Sequence, residues 1–280
     1  MPELPELQAH ADRLTARYAG ALLAAFQPLS FTALKTVVPA PDAALGRPLQ
    51  RVARRGKHLL LAFDDVTFVV HLMQGGRLVQ DRKAVRHRHP RGGVCRWAFE
   101  ATAPLLLTEA GTEHRAGVWV VAGDPLVQPP LAGLGPEADT VDAARLAGLL
   151  RAHPMRLHTF LRDQSVLAGL GRRLANEVCH RAGLSPFAPT ARLDAAAAAG
   201  IVAAIRAAVD EGLAFERGRS DMSAARERPG GVHARTGEPC PVCGDTVRAV
   251  AYRDYTVHYC AACQTGGRVL ADNTTSRFLK

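Results

Sequence analysis

The sequence predicts an α+β chain: an N-terminal β-sandwich carrying one N-terminal helix, then a helical domain, then a small four-cysteine finger. Three observations carry this. From about Ser30 to Ala122, short β-rich runs alternate with tight turns. From Val141 to Phe215, apolar residues recur at helical spacing. Cys240, Cys243, Cys260 and Cys263 then form two C-x2-C pairs separated by sixteen residues. At 280 residues the chain can bury two cores and hold a finger besides. The expected divisions are 1–122 for the sandwich, 123–140 for a linker, 141–232 for the helical domain and 233–280 for the finger.

The elements follow in order. Leu7, Ala11, Leu14 and Tyr18 share one helical face, and Pro5 suits the first turn, where a missing N–H costs nothing. The runs His58–Phe63, Val66–Leu72, Leu105–Thr108 and Val118–Val121 read as strands, broken by Asp-Asp, Gly-Gly and Ala-Gly turns. Gly123–Thr140 holds four prolines with Gly133 and Gly135, so it reads as a linker ending at a helix cap in Asp139 or Thr140. Val141–Ala152, Met155–Asp163, Arg172–Ala182 and the alanine-rich Asp194–Phe215 read as helices, and Gly218–Gly231 as a polar loop. No internal repeat is present.

Paired C-x2-C knuckles match a tetrahedral metal site of four thiolates, with no coordination position left open for chemistry. One structural zinc ion per chain is therefore expected, in preference to two disulfides. Pro241, Gly244 and Gln264 complete the knuckles. The formal net charge is +9, from 35 basic and 26 acidic side chains, and only four of the basic residues are lysine. A basic chain with a zinc ribbon points to a polyanion, most simply nucleic acid. Cys95 and Cys179 lie in apolar surroundings and read as buried thiols, which suits a reducing cytosol. No apolar run approaches membrane-spanning length and no secretory h-region opens the chain. The expected location is the cytoplasm, on the nucleoid, with no membrane partner.

The opening residues carry the chemistry. Removal of Met1 leaves Pro2 as a secondary amine, and an α-amino group titrates near pH 8, so part of it is nucleophilic at neutral pH. Attack on an aldehyde-like carbon gives an iminium directly, an electron sink. Glu3 is adjacent, and Glu6 lies one helical turn on, so two carboxylates stand ready to give or take protons. Taken alone, the same residues also describe an ordinary helix start with acids favourable to the dipole.

They do not stand alone. PELPE at the start, RRGK ending at Lys57, HLMQGGRL at His71–Leu78, DQSVLAGLGRRLANEVCHRAGLSPF at Asp163–Phe187 and the four-cysteine finger occur in one order. Together they closely resemble the formamidopyrimidine-DNA glycosylase and endonuclease VIII family of base-excision repair enzymes, nearly end to end. The resemblance implies a helix–two-turn–helix motif in the helical domain and damaged double-stranded DNA as partner, bound by a monomer between the two domains. It implies a bifunctional DNA glycosylase/AP lyase excising oxidised bases. Pro2 would attack C1′, Glu3 would act as general acid/base, and Glu6 would be the second carboxylate. Lys57, counted with these catalytic groups, and His71 would grip the phosphates flanking the lesion. Gly169 and Gly171 permit a tight loop before a helix, where N–H groups and the helix dipole can take a phosphate. Asn176 and Glu177 could orient that loop or face solvent. Arg51, Arg54 and Arg55 add charge, and Arg82–Arg91 reads as a solvated basic loop.

The chain departs from the family at several positions. Arg172 stands where the family has asparagine after Gly171. Tyr255 stands where an arginine precedes the third zinc cysteine, and Arg253, two residues earlier on the same strand face, is the candidate replacement. Gln74 falls where one subgroup has a void-filling methionine, though a turn residue is an equal reading, and His114, Arg115 and Ala116 fall near an arginine–phenylalanine pair. The Gly218–Gly231 segment is shorter than the loop that caps oxidised guanine. That favours oxidised pyrimidines, or ring-opened and hydantoin lesions. Two other readings remain: a catalytically weak or inactive DNA-damage binding protein on the same scaffold, and an RNA- or ribosome-associated zinc-ribbon protein. The last leaves PELPE and the two-turn segment as coincidences.

Overall fold

The computed structural model describes residues 1–81, 90–111, 115–223, 227–253 and 255–270. The chain divides into two units, Met1–Gly133 and Leu134–Lys280. The first begins with α1 (Leu4–Tyr18), whose Leu4, Leu7, Ala11, Leu14 and Tyr18 are all buried. Eight strands follow: β1 (Leu23–Pro28), β2 (Arg51–Arg55), β3 (His58–Phe63), β4 (Val66–His71), β5 (Gly76–Gln80), β6 (Gly93–Phe99), β7 (Leu105–Glu109) and β8 (Gly117–Ala122). They form two antiparallel sheets, ordered β1-β6-β7-β5 and β2-β3-β4-β8. Aromatic rings lock the sheets face to face. Phe68 of β4 meets Phe26 of β1 at 5.4 Å and Trp97 of β6 at 5.8 Å between centroids. Such tilted and edge-on pairs add to the burial of apolar area. This is the expected sandwich with its N-terminal helix.

Helix α1 lies along β2 and is fixed to it by polar contacts as well as by its apolar face. Thr15 Oγ1 accepts from Val52 N at 2.8 Å and donates to Val52 O at 2.9 Å. One strand step further, Arg54 Nε donates to Gln8 Oε1 at 3.3 Å. These contacts run the amino end of α1 toward the far end of β2, where the chain turns into β3.

The second unit holds α2 (Ala143–Ala152), α3 (Leu157–Arg162), α4 (Arg172–Arg181) and α5 (Ala195–Arg217), then β9 (Val247–Ala251), β10 (Thr256–Cys260) and the short α6 (Ala261–Thr265). The cap of α2 is Asp142, whose carboxylate accepts from Arg145 N at 2.7 Å, in place of the expected Asp139 or Thr140. Asp142 wins because an N-cap side chain must reach the N–H groups of the first turn, and the turn begins at Ala143. The segment read as a polar loop is partly core: Met222, Ser223 and Arg228 are buried, with Ser223 N donating to Glu216 at 3.2 Å. Cys95 and Cys179 are buried, and burial pushes both thiols up, so neither is a ready nucleophile. Among the described residues, no helix is long and apolar enough to cross a membrane.

Candidate nucleic-acid and catalytic site

In the first unit the site begins at the start of α1. Pro2 and Glu3 are buried, and Met1 is the exposed residue. Glu3 is the N-cap, and its backbone N–H donates to Glu6 Oε2 at 3.0 Å. That is the reach-back half of a capping box, so Glu6 orders the backbone that carries Pro2 and Glu3. Both carboxylates are buried, with Glu3 5% and Glu6 4% exposed.

Lys57 comes from the β2–β3 turn. Arg55 and His58 pair directly, leaving Gly56 and Lys57 as a two-residue hairpin, with Gly56 at φ +54°. A positive φ at the first central position is what such a turn demands of glycine. Lys57 is only 5% exposed, which excludes a solvated lysine at a loop tip. Its charge acts on two imidazoles. His58 and His71 face each other across β3 and β4 with ring centroids 4.7 Å apart. Burial first, and then its positive neighbours His71, Arg55 and Lys57, push His58 down to about 3 despite a backbone hydrogen bond at Arg55 that opposes them. Burial and then Lys57 push His71 down to about 4. Both rings are neutral at pH 7. Met73 N donates to His71 Nδ1 at 3.2 Å, so the ring proton of neutral His71 sits on Nε2. An ammonium beside an imidazole N–H is a donor pair for an anionic oxygen.

The turn after His71 presents Gln74, which is exposed, between Met73 at φ +51° and two glycines. Those glycines are obligatory. A Cβ on Gly75 would lie 2.0 Å from the Ala110 carbonyl oxygen, and one on Gly76 would lie 2.0 Å from that of Leu72. Lys35 is a residue that sequence reasoning passed over. It crosses Gly117, directly opposite His71 in the sheet, and a Cβ there would sit 2.2 Å from Lys35 Cε. The lack of a side chain at Gly117 thus leaves room for a second lysine against the strand that pairs with His71. His114 lies outside the described residues, as do 82–89 of the basic stretch; Arg115 is exposed and Ala116 buried.

In the second unit, α3 and α4 are joined by the turns of 163–171, and one side chain fixes them. Gln164 donates to the carbonyls of Arg162 (2.9 Å) and Leu170 (2.8 Å) and accepts from Gly169 N (3.0 Å). Gly169 has φ +102°, and Gly171 is the N-cap of α4. Of the two arginines that follow, Arg172 is half-buried. Arg173 turns inward to donate to the carbonyls of Arg228 (2.6 Å) and Pro229 (2.7 Å). Asn176 and Glu177 do not face solvent. Asn176 is fully buried and contacts His233 Nδ1 (2.8 Å) and His258 Nδ1 (3.3 Å) through Nδ2. Glu177 accepts backbone N–H groups from Gly231 (2.8 Å), Val232 (3.1 Å) and His233 (2.9 Å), which hold its carboxyl below the usual range against the opposing effect of burial.

The four finger cysteines converge. Their Sγ atoms all lie within 4.8 Å of one another, with Cys243–Cys260 at 3.4 Å and Cys240–Cys263 at 3.8 Å. Tetrahedral thiolates about 2.3 Å from a zinc ion stand roughly 3.8 Å apart, so the donor set fits one ion. Gln264 ties the finger to its unit, accepting from Cys260 N at 2.8 Å and donating to Leu184 O at 2.9 Å. His180 Nε2 lies 3.3 Å from Cys240 Sγ. Arg253 is not on a strand. It is exposed in the turn between β9 and β10, where Tyr252 N donates to Tyr255 O at 2.8 Å.

Residues 1–110 match the model of the formamidopyrimidine-DNA glycosylase N-terminal domain. The formamidopyrimidine-DNA glycosylase of Methylococcus capsulatus is 30% identical over 286 residues, covering 94% of this chain and all of that protein. The chain belongs to the formamidopyrimidine-DNA glycosylase family. Its fold agrees: the MutM (Fpg) protein of Thermus thermophilus superposes with a TM-score of 0.80 at 25% identity, covering 94% of this chain and 98% of that one. The Lactococcus lactis formamidopyrimidine-DNA glycosylase, solved bound to DNA containing an AP site, gives 0.78 at 21% identity over 94% and 99% of the chains. As a formamidopyrimidine-DNA glycosylase family member, the chain opens Met-Pro-Glu, clusters four cysteines, and has Arg172 and Tyr255 where the resemblance implies asparagine and arginine.

Proposed function

We propose that this chain excises oxidised bases from double-stranded DNA in the cytoplasm and then cleaves the strand, as a bifunctional DNA glycosylase/AP lyase. The observation that carries this reading is the ordered start of α1. Glu6 binds the Glu3 N–H, and α1 runs its amino end toward the turn that holds the buried Lys57. Met1 must first be removed, because only then is the Pro2 nitrogen an amine. That amine attacks C1′ of the damaged nucleotide, the glycosidic bond breaks, and the base leaves with its electron pair and a proton. The product is an iminium between Pro2 and the opened sugar. Its positive charge acidifies the C2′ proton, so loss of that proton expels the 3′ phosphate by β-elimination, and a second elimination releases the 5′ phosphate.

Glu3 is the acid and base for these transfers, with Glu6 holding it in place. Lys57 and His71 Nε2–H bind the phosphates beside the lesion, with Lys35 adding charge at the same sheet edge. Gly171 and Arg172 at the start of α4 bind phosphate in the second unit, and Arg253 is the finger's exposed cation. Gln74 enters the gap left by the flipped nucleotide. One zinc ion bound by Cys240, Cys243, Cys260 and Cys263 supplies structure and no chemistry, since four thiolates leave no open position.

A second reading is motivated by Arg172 and Tyr255, which depart from the pattern the family resemblance implies, and describes a protein without the Pro2 chemistry. It would be a damage-binding protein. Borohydride reduction in the presence of an abasic-site duplex separates the two. A covalent adduct formed by the wild type and lost in Pro2→Gly supports the enzyme; tight binding with no adduct on any lesion duplex supports the binder. Glu3→Gln should abolish base removal and leave binding near intact.

A further inference from the structure

Beside the β9–β10 turn, Tyr252 and Tyr255 stack with centroids 4.7 Å apart and planes 12° from parallel. An arginine is fixed to each. Arg162 Cζ lies 4.3 Å over the Tyr255 ring. Arg156 Nη1 donates to the Tyr252 hydroxyl at 3.1 Å, with Cζ 5.3 Å from the Phe187 centroid. Both arginines belong to α3: Arg156 is its N-cap and Arg162 its last residue. Tyr255 is braced by His158, which stacks on it at 6.1 Å and 11°.

Neither guanidinium has a carboxylate partner among the described residues. The acid next to Arg162 is engaged elsewhere, for Asp163 Oδ1 accepts from Ser165 N (3.0 Å) and Oγ (2.6 Å). His158 adds no positive charge of its own at neutral pH, because burial, and then Arg162, push it down to about 3. Arg162, stacked on an aromatic face, keeps its N–H donors for a second ligand, and Arg156 spends only one on the Tyr252 hydroxyl; both have already lost much of their rotamer freedom. Two such arginines, without a carboxylate partner among the described residues and held at one tyrosine stack, form a preorganised receptor for anionic oxygen.

We propose that Arg156 and Arg162, held by Tyr252 and Tyr255, bind phosphodiester groups of the DNA backbone. This rests on the DNA-binding reading above. It assigns the grip of this part of the molecule to the two α3 arginines and away from Arg253, which is exposed and stacks on no ring among the described residues.

The test measures the affinity of the full-length zinc-loaded protein for a duplex carrying a reduced abasic site, by fluorescence anisotropy across a salt series. Arg162→Ala and Arg156→Ala should each weaken binding about tenfold and lower the slope of log K against log salt by about one. Arg162→Gln should match Arg162→Ala. Tyr255→Phe keeps the ring and should bind like wild type. Tyr255→Leu should reproduce the Arg162 loss, and adding it to Arg162→Ala should cost nothing further. Zinc content and unfolding midpoint certify the fold of each variant. Wild-type affinity and slope in both arginine variants, or a loss confined to Arg253→Ala, would overturn the proposal while leaving the enzyme reading intact. Failure of the wild type to bind the duplex at all would remove both.

Discussion

The Glu3 backbone N–H donates to Glu6 Oε2 at 3.0 Å, so the first two carboxylates of the chain are coupled through the opening turn of α1. In the proposed reaction Glu6 would therefore act through geometry, by holding Glu3. Glu6→Ala should cost about 1 kcal/mol of stability, as loss of a helix cap does. It should also slow single-turnover base excision about tenfold, with duplex affinity unchanged. Glu6→Gln retains an acceptor and should retain most of the rate. A Glu6→Ala protein reacting at the wild-type rate would show that the coupling is merely structural.

His58 and His71 predict an acid-labile first unit. Unfolded, each titrates near 6.5; folded, they are pushed down to about 3 and about 4. Above pH 6.5 both states hold neutral rings and the stability is fully present. Below it the unfolded chain binds protons that the folded chain refuses. Stability then falls toward pH 4, by up to about 1.4 kcal/mol per pH unit for each ring. Trp97 and Trp119 are the only tryptophans and both lie in this unit, so their fluorescence reports its urea unfolding. His58→Phe should flatten the dependence between pH 6 and 4. An unaltered slope would mean that His58 is solvated.

Glu177 latches residues 231–233 to α4 through three backbone N–H groups. Glu177→Ala strands those donors and should destabilise the second unit by about 3 kcal/mol. The amides of Gly231, Val232 and His233 should become the fastest to gain exchange in that unit. If they stay as protected as in the wild type, another group holds the segment.

Metal removal separates structure from chemistry. A chelator, or Cys243→Ser, should release one zinc per chain and abolish DNA binding, because the finger's core is two small clusters, Val232, Cys240, Val247 and Cys260 in one and Val250, Tyr259 and Ala261 in the other. The pairing of β2, β3, β4 and β8 in the first unit should survive, as read by the same tryptophans. Retention of full binding in a zinc-free protein would rule out a structural role for the ion.

Much of this was legible in the sequence because its causes are local. β3 runs over the residues that its short apolar run and flanking turns predict, and the paired knuckles announce their own cluster. Long-range placement was not legible. Asn176 and Glu177 are polar residues on a helix that read equally as loop-orienting or solvent-facing, and their partners arrive from 231–233 and His258. Arg162 closes α3, and nothing near it in sequence signals Tyr255. The only hint was two tyrosines flanking Arg253 within one turn. Arg253 itself was expected on a strand because alternation was carried across residues that in fact close the hairpin.

The most direct test is the mass of the N-terminal peptide after borohydride trapping on an abasic-site duplex. A peptide beginning at Pro2, with the reduced sugar on its nitrogen, is the expected result. A peptide that retains Met1, or a sugar carried instead by Lys57, would contradict the account.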